Sequence, residues 1–437
     1  MRKSRMFLGL ALAAAIMPVL AQASQTDPET VVFSLTAFGE WHDNRNNVSG
    51  DTPEEPVEGM EYGKQDAIKL GIGPGIRIQR RSGNTEFSLG YYPMYQWWDD
   101  AEVGQVESEL THDASATLRY RSAERLDLSL VDTLKYNDDP DLYLGEGLDF
   151  PEDTDRRLRT SNSHFENEAS AGLRYRLRQR VFMTLDGSWR IRRYDEEEIA
   201  RRGDEDEMGV SLGLSYQQTP FLSYGLFASH NLFDRESDVL LESGEEMPMG
   251  LDWTSVGLSA SYRLSEGATL TGRYGYQYVR YENDDIDDRE YPTDAQVELR
   301  YEPFRRAQLI LGGRLTVQEG YDYPYVDQEL RAVYASLAYH HTARLTSTCR
   351  AEYRSSEYEE QYTHPTTPDG SFRSEAAEKP SGGRDGTRND LFLRVGLNFR
   401  WNEKLTLSGY YSFEDVDSEV SDSYSANIVG ARASYRF

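Results

Sequence analysis

Between residue 30 and the C-terminus, apolar side chains fall on every second position, and the pattern is renewed about eighteen times along the 437 residues. Successive residues of a strand point to opposite faces, so this period describes strands with one apolar and one polar face. Leu391, Leu393, Val395, Leu397, Phe399 and Trp401 alternate with Phe392, Arg394, Gly396, Asn398 and Arg400. Ile68, Leu70, Ile72, Pro74, Ile76 and Ile78 alternate with Lys69, Gly71, Gly73, Gly75 and Arg77. Helical spacing is nowhere sustained after the first segment. The runs begin near Val31, Asp66, Thr85, Glu107, Leu126, Ser163, Val181, Glu207, Leu222, Asp252, Ala268, Thr293, Ala307, Gln328, Leu345, Asp390, Leu405 and Tyr424.

Each run is about 10 to 15 residues long, well above the common strand length of about 5 to 6 and suited to a tilted strand crossing a bilayer. The connections alternate between short and long. Short ones include Arg81–Asn84, Thr219–Phe221, Ser265–Gly267 and Asn402–Lys404; long ones include Asn44–Gln65, Asp138–Ser161, Glu236–Gly250 and Gln361–Asn389. A meander with one tight rim and one ragged rim has this rhythm, and outer-membrane barrels put the short turns on the periplasmic side. The expected fold is therefore all-β: a transmembrane up-and-down antiparallel β-barrel of about 18 strands, or 16 on the alternative count, with both termini periplasmic. A secreted sandwich or β-helix also shows period two, but with shorter strands and a drier second face. Here that face is rich in Gly, Ser, Arg and Tyr, as a wet lumen would be. Trp41, Trp97, Trp98, Tyr120, Tyr136, Tyr175, Trp253, Tyr262, Tyr301, Tyr339, Trp401 and Tyr411 stand at run ends, where bilayer interfaces favour aromatic rings. Asp132 falls between Leu130 and Leu134 on the apolar face, which suggests a bulge or a different register at that point.

The domain reading is simple: residues 1–23 are a cleaved signal peptide and residues 24–437 a single barrel domain. Arg2, Lys3 and Arg5 precede an apolar run from Met6 to Leu20, and Ala21-Gln22-Ala23 is a small-residue cleavage site. Export through the inner membrane follows, with the outer membrane of a Gram-negative-type bacterium as the destination. The single Cys349 excludes a disulfide framework, and a net charge of −28 with 75 acidic residues argues against nucleic acid as a partner.

Charge is sorted by position. Carboxylates crowd the long connections, as in Asp51, Glu54, Glu55 and Glu58, or Glu414, Asp415, Asp417 and Glu419. Asp284, Asp285, Asp287 and Asp288 supply oxygen ligands of the kind calcium takes, but without the spaced loop and fixed glycine of a dedicated site. These four are weak metal candidates and no metal site is assigned. Arginine follows the polar face instead: Arg77, Arg119, Arg174, Arg176, Arg190, Arg273, Arg300, Arg314, Arg350, Arg394 and Arg432 are the candidate lumen-lining set. A cation on the lipid side at mid-bilayer costs about 2 to 4 kcal/mol, which turns them inward. Fewer carboxylates share that face: Glu86, Asp113, Glu166, Glu168, Asp186, Glu298 and Glu352. Two readings stand beside each other: an Arg and carboxylate network that ties strands together, or guanidinium groups lining an anion path. Gln361–Asn389, rich in Gly, Ser, Pro and charge, is the best candidate for a constriction or lid, the alternative being a mobile external loop.

The seven histidines sit in no nucleophile elbow or zinc motif, so neither an enzyme nor a cofactor is expected. His112 and Asp113 alternate onto opposite faces. Strands start close behind the cleavage site, leaving no room for a plug domain. The Tyr- and Arg-rich runs Gly172-Leu173-Arg174-Tyr175-Arg176 and Gly272-Arg273-Tyr274-Gly275-Tyr276, the short turns, the acidic loops and the ending Ser434-Tyr435-Arg436-Phe437 resemble the beta-barrel porin 2 family. Those outer-membrane proteins are often encoded beside exopolysaccharide genes. Tyr435 and Phe437 resemble the C-terminal signal read by the barrel assembly machinery. The strand count and lumen arginines are also similar to those of alginate-export porins, without a shared motif. The resemblance implies a porin-like channel passing an anionic solute or an exported exopolysaccharide. Implied partners are outer-membrane lipid and lipopolysaccharide, the assembly machinery and polysaccharide-export components. The other expectation is a structural barrel plugged by its own network, with acidic loops that bind cations.

Overall fold

The computed structural model describes residues 29–43, 66–99, 108–122, 125–137, 164–195, 204–235, 248–283, 286–320, 325–359, 385–420 and 423–437. Their strand segments, in order, are β1 (Glu29–His42), β2 (Ala67–Ser82), β3 (Thr85–Tyr91), β4 (Met94–Trp98), β5 (Ser108–Ser122), β6 (Leu126–Asn137), β7 (His164–Arg178), β8 (Val181–Tyr194), β9 (Glu205–Gln217) and β10 (Leu222–Arg235). They continue with β11 (Leu251–Ser265), β12 (Ala268–Tyr281), β13 (Arg289–Phe304), β14 (Ala307–Glu319), β15 (Asp327–His340), β16 (Leu345–Tyr358), β17 (Gly386–Arg400), β18 (Leu405–Ser418) and β19 (Tyr424–Arg436). Each pairs antiparallel with its neighbours, and β1 closes the sheet on β19 from Ser34↔Arg436 to His42↔Ile428. Closure leaves no edge strand, the condition for a sheet to cross a bilayer.

β3 and β4 are two halves of one stave. Both pair with β2 and with β5 at constant register, from Ile76↔Tyr91 to Ile72↔Tyr95. In that register Pro93 faces Pro74, and neither has an N–H to give the ladder, so pairing lapses for two residues and resumes. The barrel thus has eighteen staves. All the short turns, the start of β1 and the end of β19 share one rim; the long connections share the other.

Every second residue faces out, and on that face Phe33, Leu35, Ile72, Val210, Leu212, Leu258, Val333 and Leu397 are exposed. Their exposure is that of a lipid-facing wall. Aromatic residues border it: Phe304 against Tyr339, Phe399 against Trp401 and Tyr435 against Phe437 pack edge to face near the tight rim. Two rings expected in these girdles point inward instead. Trp98 is buried beneath His42 and Lys69, and Trp253 lies in an inner apolar cluster.

Asp132 requires a correction. The β5–β6 register runs without a shift from His112↔Tyr136 to Ser122↔Leu126, so there is no bulge and the carboxylate stays on the outer face. Its Oδ1 accepts a hydrogen bond of 2.7 Å from Asn167 Nδ2, which also donates to the Thr133 carbonyl at 2.8 Å. The neighbours across the ladders are Ala116 and Ala169, so the pair sits between small side chains.

Candidate functional site

The inner wall is built by the other half of the alternation. The pairing registers place Arg77, Arg119, Arg174, Arg176, Arg190, Arg273, Arg300, Arg314, Arg350, Arg394 and Arg432 all on the face opposite the apolar one. Their surroundings differ with height. Toward the tight rim Arg119, Arg174, Arg273 and Arg300 are exposed to the lumen, and Arg263 and Arg400 join them there. Among the described residues Arg273 and Arg300 keep only distant carboxylates, Asp294 and Glu298, each at 3.6 Å. This half is open and cationic.

Toward the long connections the wall closes up. Arg192 Nη2 holds Glu166 at 2.7 Å, Arg192 Nη1 reaches Glu205 at 3.6 Å, and Arg235 Nη2 holds Glu205 at 2.8 Å. Arg190 pairs with Glu207 in the same ladder. On the facing wall Arg350 and Arg354 share Glu352 at 2.6 and 2.5 Å, and Arg388 Nε holds Asp390 at 2.9 Å. Ion pairs this buried survive only when both partners are present and hydrogen-bonded. Inward carboxylates are therefore more numerous than the sequence suggested. Glu40, Glu205, Glu207, Asp294, Asp390 and Glu414 also face the lumen, and Glu414, Asp415 and Asp417 belong to β18 rather than to a loop.

What fills this half is a hairpin. β14 pairs with β13 only from Phe304↔Ala307 up to Ala295↔Leu315, and β13 carries one extra residue against β12 around Pro292, between Gly275↔Asp294 and Gln277↔Tyr291. Beyond that bulge β14 leaves β13 but stays paired with β15 through Glu319↔Asp327. Residues 317–319 and 325–328 of the resulting hairpin are buried on both faces. Val317 and Val326 pack on Phe233, Leu251, Trp253, Val279 and Tyr281, all from the inner walls of β10, β11 and β12. The hairpin has folded into the barrel.

Its docking bonds are specific. The Gln277 amide reads the Val317 backbone as a strand would: its Nε2 donates to the carbonyl and its Oε1 accepts from the amide at 3.0 Å. The Tyr281 hydroxyl donates to Asp327, and Tyr358 donates to Gln328 at 2.9 Å from the opposite side. At the tip Arg235 Nη2 donates to the Gly320 carbonyl at 3.0 Å, linking the hairpin to the ion-pair ladder.

Sequence reasoning passed over this hairpin because its alternation is unbroken. The available signals were Pro292 just ahead of the run that begins near Thr293 and the amides Gln277, Gln318 and Gln328 at lumen positions. The expected lid, Gln361–Asn389, lies outside the described residues from 361 to 384, as do the signal peptide and the long connections 44–65 and 138–163. Of the weak metal candidates, Asp284 and Asp285 also lie outside; Asp288 accepts a hydrogen bond from Tyr278 on the outer face. Tyr435 and Phe437 are exposed on the outer face at the tight rim. His112 faces out, bonded to Tyr91 at 2.8 Å, while Asp113 faces in.

No family model matches the chain, and no protein of curated function matches it in sequence. Among solved structures it is similar to the crystal structure of Pseudomonas aeruginosa OccK5 (OpdH), at 10% identity and a TM-score of 0.45 over 94% of this chain and 98% of that one. OccK2 (OpdF) of Pseudomonas aeruginosa, crystallised in complex with glucuronate, gives 13%, 0.45, 93% and 98%. Acinetobacter baumannii OccAB4 gives 11%, 0.45, 95% and 99%. The fold itself rests on the strand pairing of this chain.

Proposed function

We propose that this protein is a porin-like channel of the outer membrane that passes an anionic solute, with its tight rim and both termini on the periplasmic side. The observation that carries the reading is the band of lumen-exposed guanidinium groups at Arg119, Arg174, Arg273 and Arg300, because fixed cations around a water-filled lumen favour anions. A barrel of eighteen staves is wide enough for such a lumen, and the docked hairpin narrows it on the long-loop side. The solute class extends to a nascent acidic polysaccharide, in keeping with the resemblance to the beta-barrel porin 2 family. Cleavage after Ala23 and recognition of Tyr435 and Phe437 by the assembly machinery complete the path to the membrane. The reading calls for no catalytic group and no cofactor. Measured across a potassium chloride gradient, the reversal potential should indicate chloride preference that declines in Arg273→Gln/Arg300→Gln; a cation preference in the unaltered barrel would sink the proposal.

A second reading has its own support. The inward cluster of Phe233, Trp253, Val279, Tyr281 and Val317 is an apolar core inside the barrel, and a self-plugged structural barrel would need such a core.

A further inference from the structure

The lumen arginines divide by their partners. Arg190, Arg192, Arg235, Arg350, Arg354 and Arg388 each hold a carboxylate within 3 Å. Arg394 on β17 is as deeply placed, 9% exposed, yet has no carboxylate within 4.0 Å among the described residues. Its guanidinium lies over the Tyr410 ring, 4.3 Å from the centroid, and its Nη2 is buried with no hydrogen-bond partner. Directly across the β17–β18 ladder stands Ser412, 2% exposed, whose hydroxyl is also without a partner. Across the β16–β17 ladder stands Arg350, already held by Glu352.

Two buried groups left without partners side by side are costly unless something completes them. The local framework is rigid. Tyr410 is pinned by its hydroxyl, which donates to Glu40 at 2.6 Å, and its ring occupies the space above Gly430, where a Cβ would lie 2.2 Å away. Arg432, one strand on, adds a third positive charge and lies near Phe38 at 6.0 Å. The unused hydrogen-bonding groups are a planar guanidinium edge and a hydroxyl, beside surplus positive charge. A planar monoanion with two acceptor oxygens matches that set, because guanidinium and carboxylate pair through parallel N–H···O bonds.

We infer that Arg394 and Ser412, with Tyr410 as platform, form a binding site for the carboxylate of a small organic anion on the lumen wall. The inference rests on the reading of the lumen as a water-filled path, and it adds a single defined stop along it. The carboxylate takes the free Arg394 edge and the Ser412 hydroxyl as Arg394 turns from the Tyr410 face toward the lumen.

Fluorine NMR of para-fluorobenzoate with the full barrel in detergent micelles tests it without needing current. Line broadening should give saturable binding that weakens about tenfold or more in Arg394→Gln and about threefold to tenfold in Ser412→Ala, the scale of one charge-assisted and one neutral hydrogen bond. Arg178→Gln, which removes a positive charge at the tight rim, should bind as the unaltered protein does. Arg394→Lys keeps the charge but loses the flat two-donor edge, so it should also bind weakly, and it carries the test where Arg394→Gln does not fold. Unchanged binding in folded Arg394→Gln overturns the site, as does an equal loss in Arg178→Gln or absence of binding by the unaltered barrel. Current across a bilayer with no benzoate binding removes the site and leaves the channel; binding without current does the reverse.

Discussion

Glycine on the inner wall is a seat for a ring. Gly71 lies under Phe38, Gly75 and Gly90 under Tyr92, Gly312 under Tyr334 and Gly430 under Tyr410, each so close that a Cβ would clash with the ring. Each ring comes from a neighbouring stave, or for Gly90 from the junction of its own, and fills the space that glycine leaves, the rescue that glycine in a sheet needs. Gly73 is tighter, because a Cβ there would meet the Pro93 carbonyl oxygen at 2.1 Å, and backbone cannot swing aside. Gly73→Ala should therefore lower stability by about 1–3 kcal/mol. Gly272→Ala, whose Cβ finds only Gln296 O at 3.5 Å, should stay within about 0.5 kcal/mol. Urea titration of the barrel folded in vesicles reads both. Asp132 makes the converse case: a carboxylate facing lipid is a liability even with Asn167 beside it. Asp132→Leu should be neutral or stabilising by up to about 2 kcal/mol in the same titration, and a clear loss would mean that the pair has a partner in the membrane.

At the scale of elements, the in-folded β14–β15 hairpin is docked by side chains from several staves: Gln277 on the Val317 backbone, Tyr281 on Asp327, Tyr358 on Gln328 and Arg235 on the Gly320 carbonyl. Arg235 ties the tip to Glu205, and Arg235→Ala should cost about 3–5 kcal/mol by taking from buried Glu205 the cation that holds it at 2.8 Å. Thermal unfolding followed by the gel shift of the folded barrel would measure that loss. None of this showed in the sequence, because a hairpin folded inward keeps the alternation of one in the wall. Only Pro292 betrays the departure, by bulging β13 so that β14 loses its partner beyond Leu315.

At the scale of the whole molecule the alternation was decisive together with run length and loop rhythm, since long two-faced runs joined by alternately short and long connections suit a barrel better than a sandwich or a β-helix. Period two assigns a face to each arginine without any knowledge of height. Height is what the sequence withheld. Arg273 and Arg190 look alike in their runs, but one faces open lumen and the other lies in a buried ladder with Glu207. Pro93 shows the same limit, because the run from Thr85 to Trp98 reads as one strand and only its register against Pro74 reveals two halves. The resulting body has exposed arginines on its inner wall toward the tight rim and the docked hairpin inside it toward the other. Its single-channel conductance in a planar bilayer, compared with that of a barrel in which residues 317–327 are replaced by a short glycine turn, tests this account most directly. We predict a small steady conductance for the intact chain and a severalfold larger one for the shortened chain. Equal conductances would mean that the hairpin does not set the bore, and no current from either folded barrel would show that the lumen is closed.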